Sequence, residues 1–479
     1  MSSVEIDYAD VQGTILRGYR VDLARHFILS ITDAAGAGAF IGGLVDGTGG
    51  LPRITTARRW TVKPECFVNV AFTAAGLAAL GVTSQQLATF DPAFQLGATS
   101  ATTAQTVGDV GESAPANWMG GLADGAKVHL VLSLWVAHDP AVLDKVSATL
   151  RTAFAGCMTE LSANDANALP GNEIQFGYRD GISQPTVIGA PPRKYGGVPD
   201  DQPPVATGEF LLGYVNESGG IYSVTPPELS LNSSYAAFRI SEQDVAAFEA
   251  FLTEYAAKAG IDVETMAAKV CGRWRNGNPL ELQPDAPGTP LPMSQINNFT
   301  YVSTTLADDD TLGIKCPIGS HLRRNNPRNE AVIGGGSTTS TRHRIVRRNI
   351  PYGPPYDPAA SPQPSVPRGL IGYFINASLT NQFEFLLSQW NNTYSFVSSA
   401  TDPNGSADGN AVFNISGQDV FLGVNDPSDS SFTLAAIGAM GANNKTLTGF
   451  SRIVITRGGA YVFFPSITGL RFLATLPTG

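Results

Sequence analysis

The stretch GAPPRKYGGVPDDQPPVATG, from Gly189 to Gly208, constrains the architecture of this chain more than any other feature. Proline fixes φ and removes a backbone donor, and glycine weakens local preference, so neither a helix nor an interior strand crosses such a segment easily. A chain of 479 residues is also too long for one ordinary core. The break therefore predicts an N-terminal unit over 1–190, a linker or long surface loop over 191–207, and a C-terminal unit over 208–479.

Both sides of the break mix strand-like and helix-like segments. Before it, 25–32 (RHFILSIT), 66–72 (CFVNVAF), 127–136 (KVHLVLSLWV) and 173–178 read as strands, and 33–45, 73–80 and 139–154 as helices. In the last of these, Val142, Leu143, Val146 and Leu150 recur at helical spacing. After the break, 209–215, 235–240, 370–375 and 459–465 are strand-like, and 380–390 is helical. Ser241 is the expected cap of a helix that runs to Lys258. Two such halves predict an α+β fold, a duplicated plan of antiparallel sheets covered by helices.

Composition narrows the function. Hydrophobic residues make up 43% and charged residues 15%, as in a packed globular protein. The net charge of −10 argues against a general nucleic-acid or anionic-membrane partner, because phosphate binding relies on clustered Lys and Arg. The start, MSSVEIDYAD, has neither the basic nor the apolar region of a secretory signal, and no apolar run approaches the roughly 18 residues of a membrane span. Cys66, Cys157, Cys271 and Cys316 stand apart without zinc-ligand spacing, so a reducing, cytoplasmic address is expected.

Few residues carry candidate chemistry. His26 and His129 fall in strand-like segments and read as core or edge histidines, and no HExxH, GxSxG or GxxxxGK[ST] pattern occurs. FGYRDGISQP (Phe176–Pro185) sets an Arg-Asp pair between glycines, which suits either a tight turn or an acid held on a rigid loop. His321 lies in CPIGSHLRRNNPR, and RHRIVRRNIPYGPPY follows from Arg342. These basic stretches read as a solvated loop or, with a modest preference, as a pocket that neutralises an anionic cofactor.

Taken together, GYRDGISQP, CPIGSH and RRNIPYG resemble the dye-decolourising peroxidase family, whose GxxDG signature the first string matches. VQGTILRGY, HLRRNNPR, RGLIGYF and FEFLLSQWNN extend the resemblance across most of the chain in the family's order. The length is similar to that of the longer members.

The resemblance implies two ferredoxin-like domains of the dimeric α/β barrel type, with haem b held mainly by the second. It also implies a peroxidase that reduces hydrogen peroxide and oxidises dyes and phenolics in one-electron steps through a ferryl intermediate. His321 would be the proximal iron ligand, with Asp402 as the carboxylate behind it and Asp408 and Glu384 as alternatives. Asp180 would be the distal acid–base group and Arg347 the stabiliser of developing charge. Arg328, Asn349, Leu370, Gly181 and Ile182 would contact the cofactor, and Trp390 and Tyr352 would be surface electron relays. Where several relatives carry a distal Phe, this chain has Gly372, which would widen the pocket or leave room for water. A haem-transfer protein with incidental activity is the alternative; it needs His321 and Arg328 but not Asp180 together with Arg347. A metal-free hydrolase with Asp180 as base is a second.

Overall fold

The computed structural model describes residues 5–190, 194–195, 198–199, 202–305, 307–332, 340–360, 366–394, 397, 416–435 and 444–476. Eight main strands are β1 (Leu23–Ile31), β2 (Cys66–Phe72), β3 (Leu130–Val136), β4 (Met158–Asn167), β5 (Ser234–Gln243), β6 (Val346–Tyr352), β7 (Gly369–Asn376) and β8 (Val454–Phe464). They form one sheet in the order β6-β7-β5-β8-β2-β3-β1-β4, and every pairing is antiparallel. Four strands precede the Pro/Gly break and four follow it, and the groups meet where Phe463 of β8 pairs with Phe72 of β2.

The sheet curls on itself. Three strands separate β7 from β3, so in a flat sheet they would lie about 19 Å apart at roughly 4.8 Å per strand. Instead Ser133 of β3 and Tyr373 of β7 share a 2.6 Å hydrogen bond, and the edge strands β6 and β4 lie against each other. Polar groups meet there as well: His26 Nδ1 bonds Ser133 Oγ at 2.7 Å, and the ring stands edge-on to Trp135 and Phe238. Burial pushes the His26 pKa down to about 3, so it is a neutral core histidine, as its strand setting predicts.

Helices cover the outside. Asp33 caps α1 (Ala34–Asp46) by accepting from Ala35 and Gly36 N–H, and Asp139 caps α2 (Pro140–Phe154), whose first residue is a proline that needs no donor. Helix α3 (Val245–Ala259) starts later than the sequence predicts. Ser241 belongs to β5, held by pairing with Leu370 and Thr456, and Asp244 is the cap. Segments 173–178 and 209–215 are turns, not strands: Gly177 and Gly213 take positive φ of 80° and 86°, which breaks extended pairing.

Register decides which side chains share a face, because directly paired residues point the same way. Arg347 pairs with Phe374, Phe374 with Ala237, and Ala237 with Tyr461. One step along, Asn349 pairs with Gly372, Gly372 with Arg239, and Arg239 with Gly459. These rows face away from the barrel interior, toward a helix at 379–391 built of two wide stretches, Leu379–Glu384 and Leu386–Asn391. Phe374 packs on Phe383 of that helix, and the Tyr461 hydroxyl donates to Glu384 at 3.0 Å.

Candidate active site

His321 opens α4 (His321–Asn325), directly after the tight CPIGS approach. Its Nδ1 lies 2.9 Å from Asp419 Oδ2, while Asp419 Oδ1 accepts from the Phe421 and Leu422 N–H groups, each at 2.8 Å. Burial alone would push the Asp419 carboxyl up, but the His321 ring, the Leu422 N–H and the Arg324 guanidinium override it and hold it below the usual range. The bond fixes the ring so that Nε2 is the nitrogen available to a metal. Asn325 adds a donor to the His321 carbonyl, and its amide pairs with that of Asn391.

Among the described residues, the carboxylate behind His321 is Asp419. Asp402 and Asp408 lie outside the described residues, and Glu384 is engaged with Tyr461. No local spacing points to Asp419, which is 98 residues from its partner. Its only sequence signal is an acid set among apolar neighbours in QDVFLG, at a position that proves fully buried.

Most of the basic run is structural. Arg323 is fully buried against Asp310 and Glu330, and Arg324 is buried with its guanidinium on the carbonyls of Trp390 and Gly417 and on Ser416 Oγ. Arg348 donates to the carbonyls of Thr14, Ile15 and Arg17, which gives VQGTILRGY its place against β6. Neither a solvated loop nor an anion pocket describes these residues. Arg328 is different: it has a positive φ of 55°, lies 3.7 Å over Phe299, and donates to the Asn297 and Phe299 carbonyls. Strained non-glycine backbone of this kind clusters at ligand clamps.

Asp180 sits on the turn that FGYRDGISQP builds, between Gly177 and Gly181, both at positive φ. The turn is closed by Asn172, whose amide donates to the Asp180 carbonyl while its own carbonyl accepts from Asp180 N–H. Arg347 Nη2 lies 3.6 Å from Asp180 Oδ1, and both side chains are about one-third exposed. Asn349, on the same face as Arg347, has a buried Oδ1 with no protein partner. Leu370 is half-buried further along β7, and Ile182 is buried with its carbonyl accepting from Asn297. At Gly372 φ is 148°, and a Cβ would lie 2.1 Å from the Arg348 carbonyl oxygen, so the neighbouring strand leaves no room for a side chain on this backbone.

A chain of aromatic contacts links the two clusters. His321 stands edge-on to Phe421, which stacks on Phe176 at the start of the Asp180 turn. The buried Cys271 thiol feels both Asp419 and Arg347. Trp390 does not lie at the surface, and Tyr352 is half-buried. Trp390 is 0% exposed, edge-on to His343 and Phe385, and the Tyr352 hydroxyl is buried at the end of β6.

Comparison with known proteins decides the family. Residues 10–170 match the family model described as a DyP dimeric alpha+beta barrel domain. A dye-decolorizing peroxidase of Mycetinis scorodonius is 30% identical over 98% of this chain and 88% of its own length. The chain belongs to the dye-decolorizing peroxidase family. A multifunctional dye peroxidase of an Amycolatopsis species is 28% identical over 97% of this chain and 95% of its own. Among solved structures, the fungal peroxidase of Auricularia auricula-judae superposes with a TM-score of 0.79 at 25% identity, covering 99% of this chain and all of that one.

The protein is thus a haem peroxidase of the dye-decolorizing type. Its residues fit that cofactor. A histidine with one nitrogen tied to a buried carboxylate is a suitable iron ligand, and the unpartnered Asn349 Oδ1 shows a polar atom aimed into the same region as Arg347. Among the described residues, no helix is long and apolar enough to cross a membrane.

Proposed function

We propose that this peroxidase binds haem b through His321 Nε2 and that Asp180 and Arg347 act on hydrogen peroxide on the opposite side. The observation that carries the reading is the Asp180–Arg347 pair, a carboxylate and a guanidinium 3.6 Å apart and both reachable by solvent. Haem, when bound, supplies the redox-active iron. The protein supplies proton handling and charge. Asp180 would take the proton from the near peroxide oxygen and return it to the departing one, which a carboxylate on a rigid glycine-flanked turn can reach in both positions. Arg347 would stabilise the negative charge that grows on the departing oxygen, with the Asn349 amide beside it. Leu370 would wall this side, and Gly181 and Ile182 would line the cofactor edge. Arg328 would grip a propionate, a bidentate task that suits guanidinium.

The reductants are phenols and dye-like aromatics in this reading. It draws support from relatives named as dye-decolorizing peroxidases and from a matched structure in complex with 2,6-dimethoxyphenol. The four unpaired cysteines support a reducing compartment. The even division of strands about the Pro/Gly break supports 1–190 and 208–479 as the two domains.

The test is Asp180→Asn. Haem content should persist while the second-order rate of reaction with hydrogen peroxide, followed by stopped-flow absorbance, falls by about a hundredfold or more. An unchanged rate would remove Asp180 from the chemistry.

A further inference from the structure

We propose that Gln184 is the positioning residue that sets Arg347 against Asp180. The proposal rests on Arg347 acting on peroxide and names what holds it there. Asp180 and Arg347 come from distant segments, and a 3.6 Å contact between partly exposed side chains is too loose to align itself. Functional groups of this kind need placement to within about 0.5 Å, supplied by residues behind them.

Strand β6 is an edge strand in the hydrogen-bonded sheet, paired with β7 alone. On the other side the Arg347 peptide groups meet no strand. They meet the Gln184 side chain: Gln184 Oε1 accepts from the Arg347 N–H at 3.0 Å, and Gln184 Nε2 donates to the Arg347 carbonyl at 3.1 Å, a carbonyl that also accepts from Arg348 Nη1 at 3.0 Å. A primary amide carries one acceptor and a donor in the geometry of a peptide, so it substitutes for the missing neighbour strand at one residue. Gln184 is buried, at 8% exposure, so neither bond is shared freely with water.

Further contacts tie the same segment down. Arg347 Nη2 reaches toward the Ser183 carbonyl at 3.4 Å, and Ser183 Oγ donates to Gln202. At the far end of β6, Gln175 Nε2 donates to the Tyr352 carbonyl at 2.9 Å. Segment 175–184 is thus fastened to β6 at both ends, with Asp180 between the fastenings. Only the Gln184 end engages the backbone of Arg347, in both directions.

The experiment is a double-mutant cycle on the haem-loaded protein, with the second-order rate of reaction with hydrogen peroxide as readout. Gln184→Ala should lower that rate about ten- to hundredfold, the effect of a roughly 1 Å misplacement. In an Arg347→Leu background it should cost less than about twofold, because the group it positions is gone. The rate at which oxidised enzyme is reduced by 2,6-dimethoxyphenol should stay within about twofold of wild type, whereas general loosening would slow both steps. Gln184→Glu keeps the shape and the acceptor but opposes an anion to the Arg347 carbonyl, and it should lose at least about tenfold. It carries the test if the alanine variant fails to fold. The proposal is overturned if either Gln184 variant reacts at the wild-type rate, or if Gln184→Ala costs its full factor in the Arg347→Leu background. If Arg347→Leu itself reacts normally, the role of Arg347 falls instead, and the role assigned to Gln184 falls with it.

Discussion

His321 Nδ1 and Asp419 Oδ2 lie 2.9 Å apart across 98 residues of sequence, and Asp419 is fully buried. The carboxylate is further held by two backbone N–H groups, so it cannot swing away from the ring. A histidine whose far nitrogen donates to a carboxylate is a stronger base toward a metal. Asp419→Asn keeps the shape and removes the charge. The reduction potential of the bound iron should rise, and reaction with peroxide should slow about ten- to hundredfold. An unchanged potential would mean that Asp419 only fills space.

Gly372 yields a second expectation. Its φ of 148° suits glycine, and a Cβ would meet the Arg348 carbonyl at 2.1 Å and Asn349 Cα at 2.8 Å. Both neighbours are backbone in a paired strand, so neither can yield cheaply. Gly372→Ala should cost more than about 2 kcal/mol of stability, from strain and overpacking together. Urea unfolding of the haem-loaded protein measures it; a loss under about 0.5 kcal/mol would show that β6 and β7 adjust freely.

How much of this was legible in sequence follows from where the signals sit. Strands β1, β2, β3 and β7 are read correctly because their apolar residues are dense and β-branched. Strand β4 (MTELSANDAN) escapes because it is an edge strand with mostly half-exposed polar side chains. Strand β6 escapes because VRRNIPY carries the site's own arginine and asparagine where a core strand would carry apolar residues. His321 and the Asp180–Arg347 pair, which the structure brings to 3.6 Å, lie in motifs that stand out in the sequence. Asp419 and Gln184 are not, since each works through a partner that only the fold brings near.

Arg239 and Asp109 form a buried pair on the same face as Gly372. Two guanidinium nitrogens each lie 2.6 Å from a carboxylate oxygen, and a third bond reaches Thr456. The pair links the loop before β3 to the centre of the C-terminal strands. Removing one partner leaves the other charged and buried, so Asp109→Ala should cost about 3–5 kcal/mol. Replacing both, as Asp109→Ala with Arg239→Met, should cost clearly less than the single change. If the double variant is the less stable of the two, the pair contributes more than mutual neutralisation.

Glu209 provides the pH test. It is 1% exposed, its Oε1 accepts from the Glu217 N–H, and its Oε2 has no partner. Burial pushes its pKa up from 4.5 to about 7, with the Glu217 charge adding to the rise while that N–H and Arg342 oppose it. The Tyr222 hydroxyl lies near enough to interact with it electrostatically. The folded protein therefore keeps a proton that the unfolded chain releases, so its stabilising effect is full below about pH 4.5 and is lost as pH rises through about 7. Glu209→Gln mimics the protonated form at every pH. The Tm of wild type should thus fall relative to that of Glu209→Gln as pH rises between those limits and run parallel to it above them. Parallel curves across the whole range would show that Glu209 loses its proton at the same pH in the folded and unfolded states.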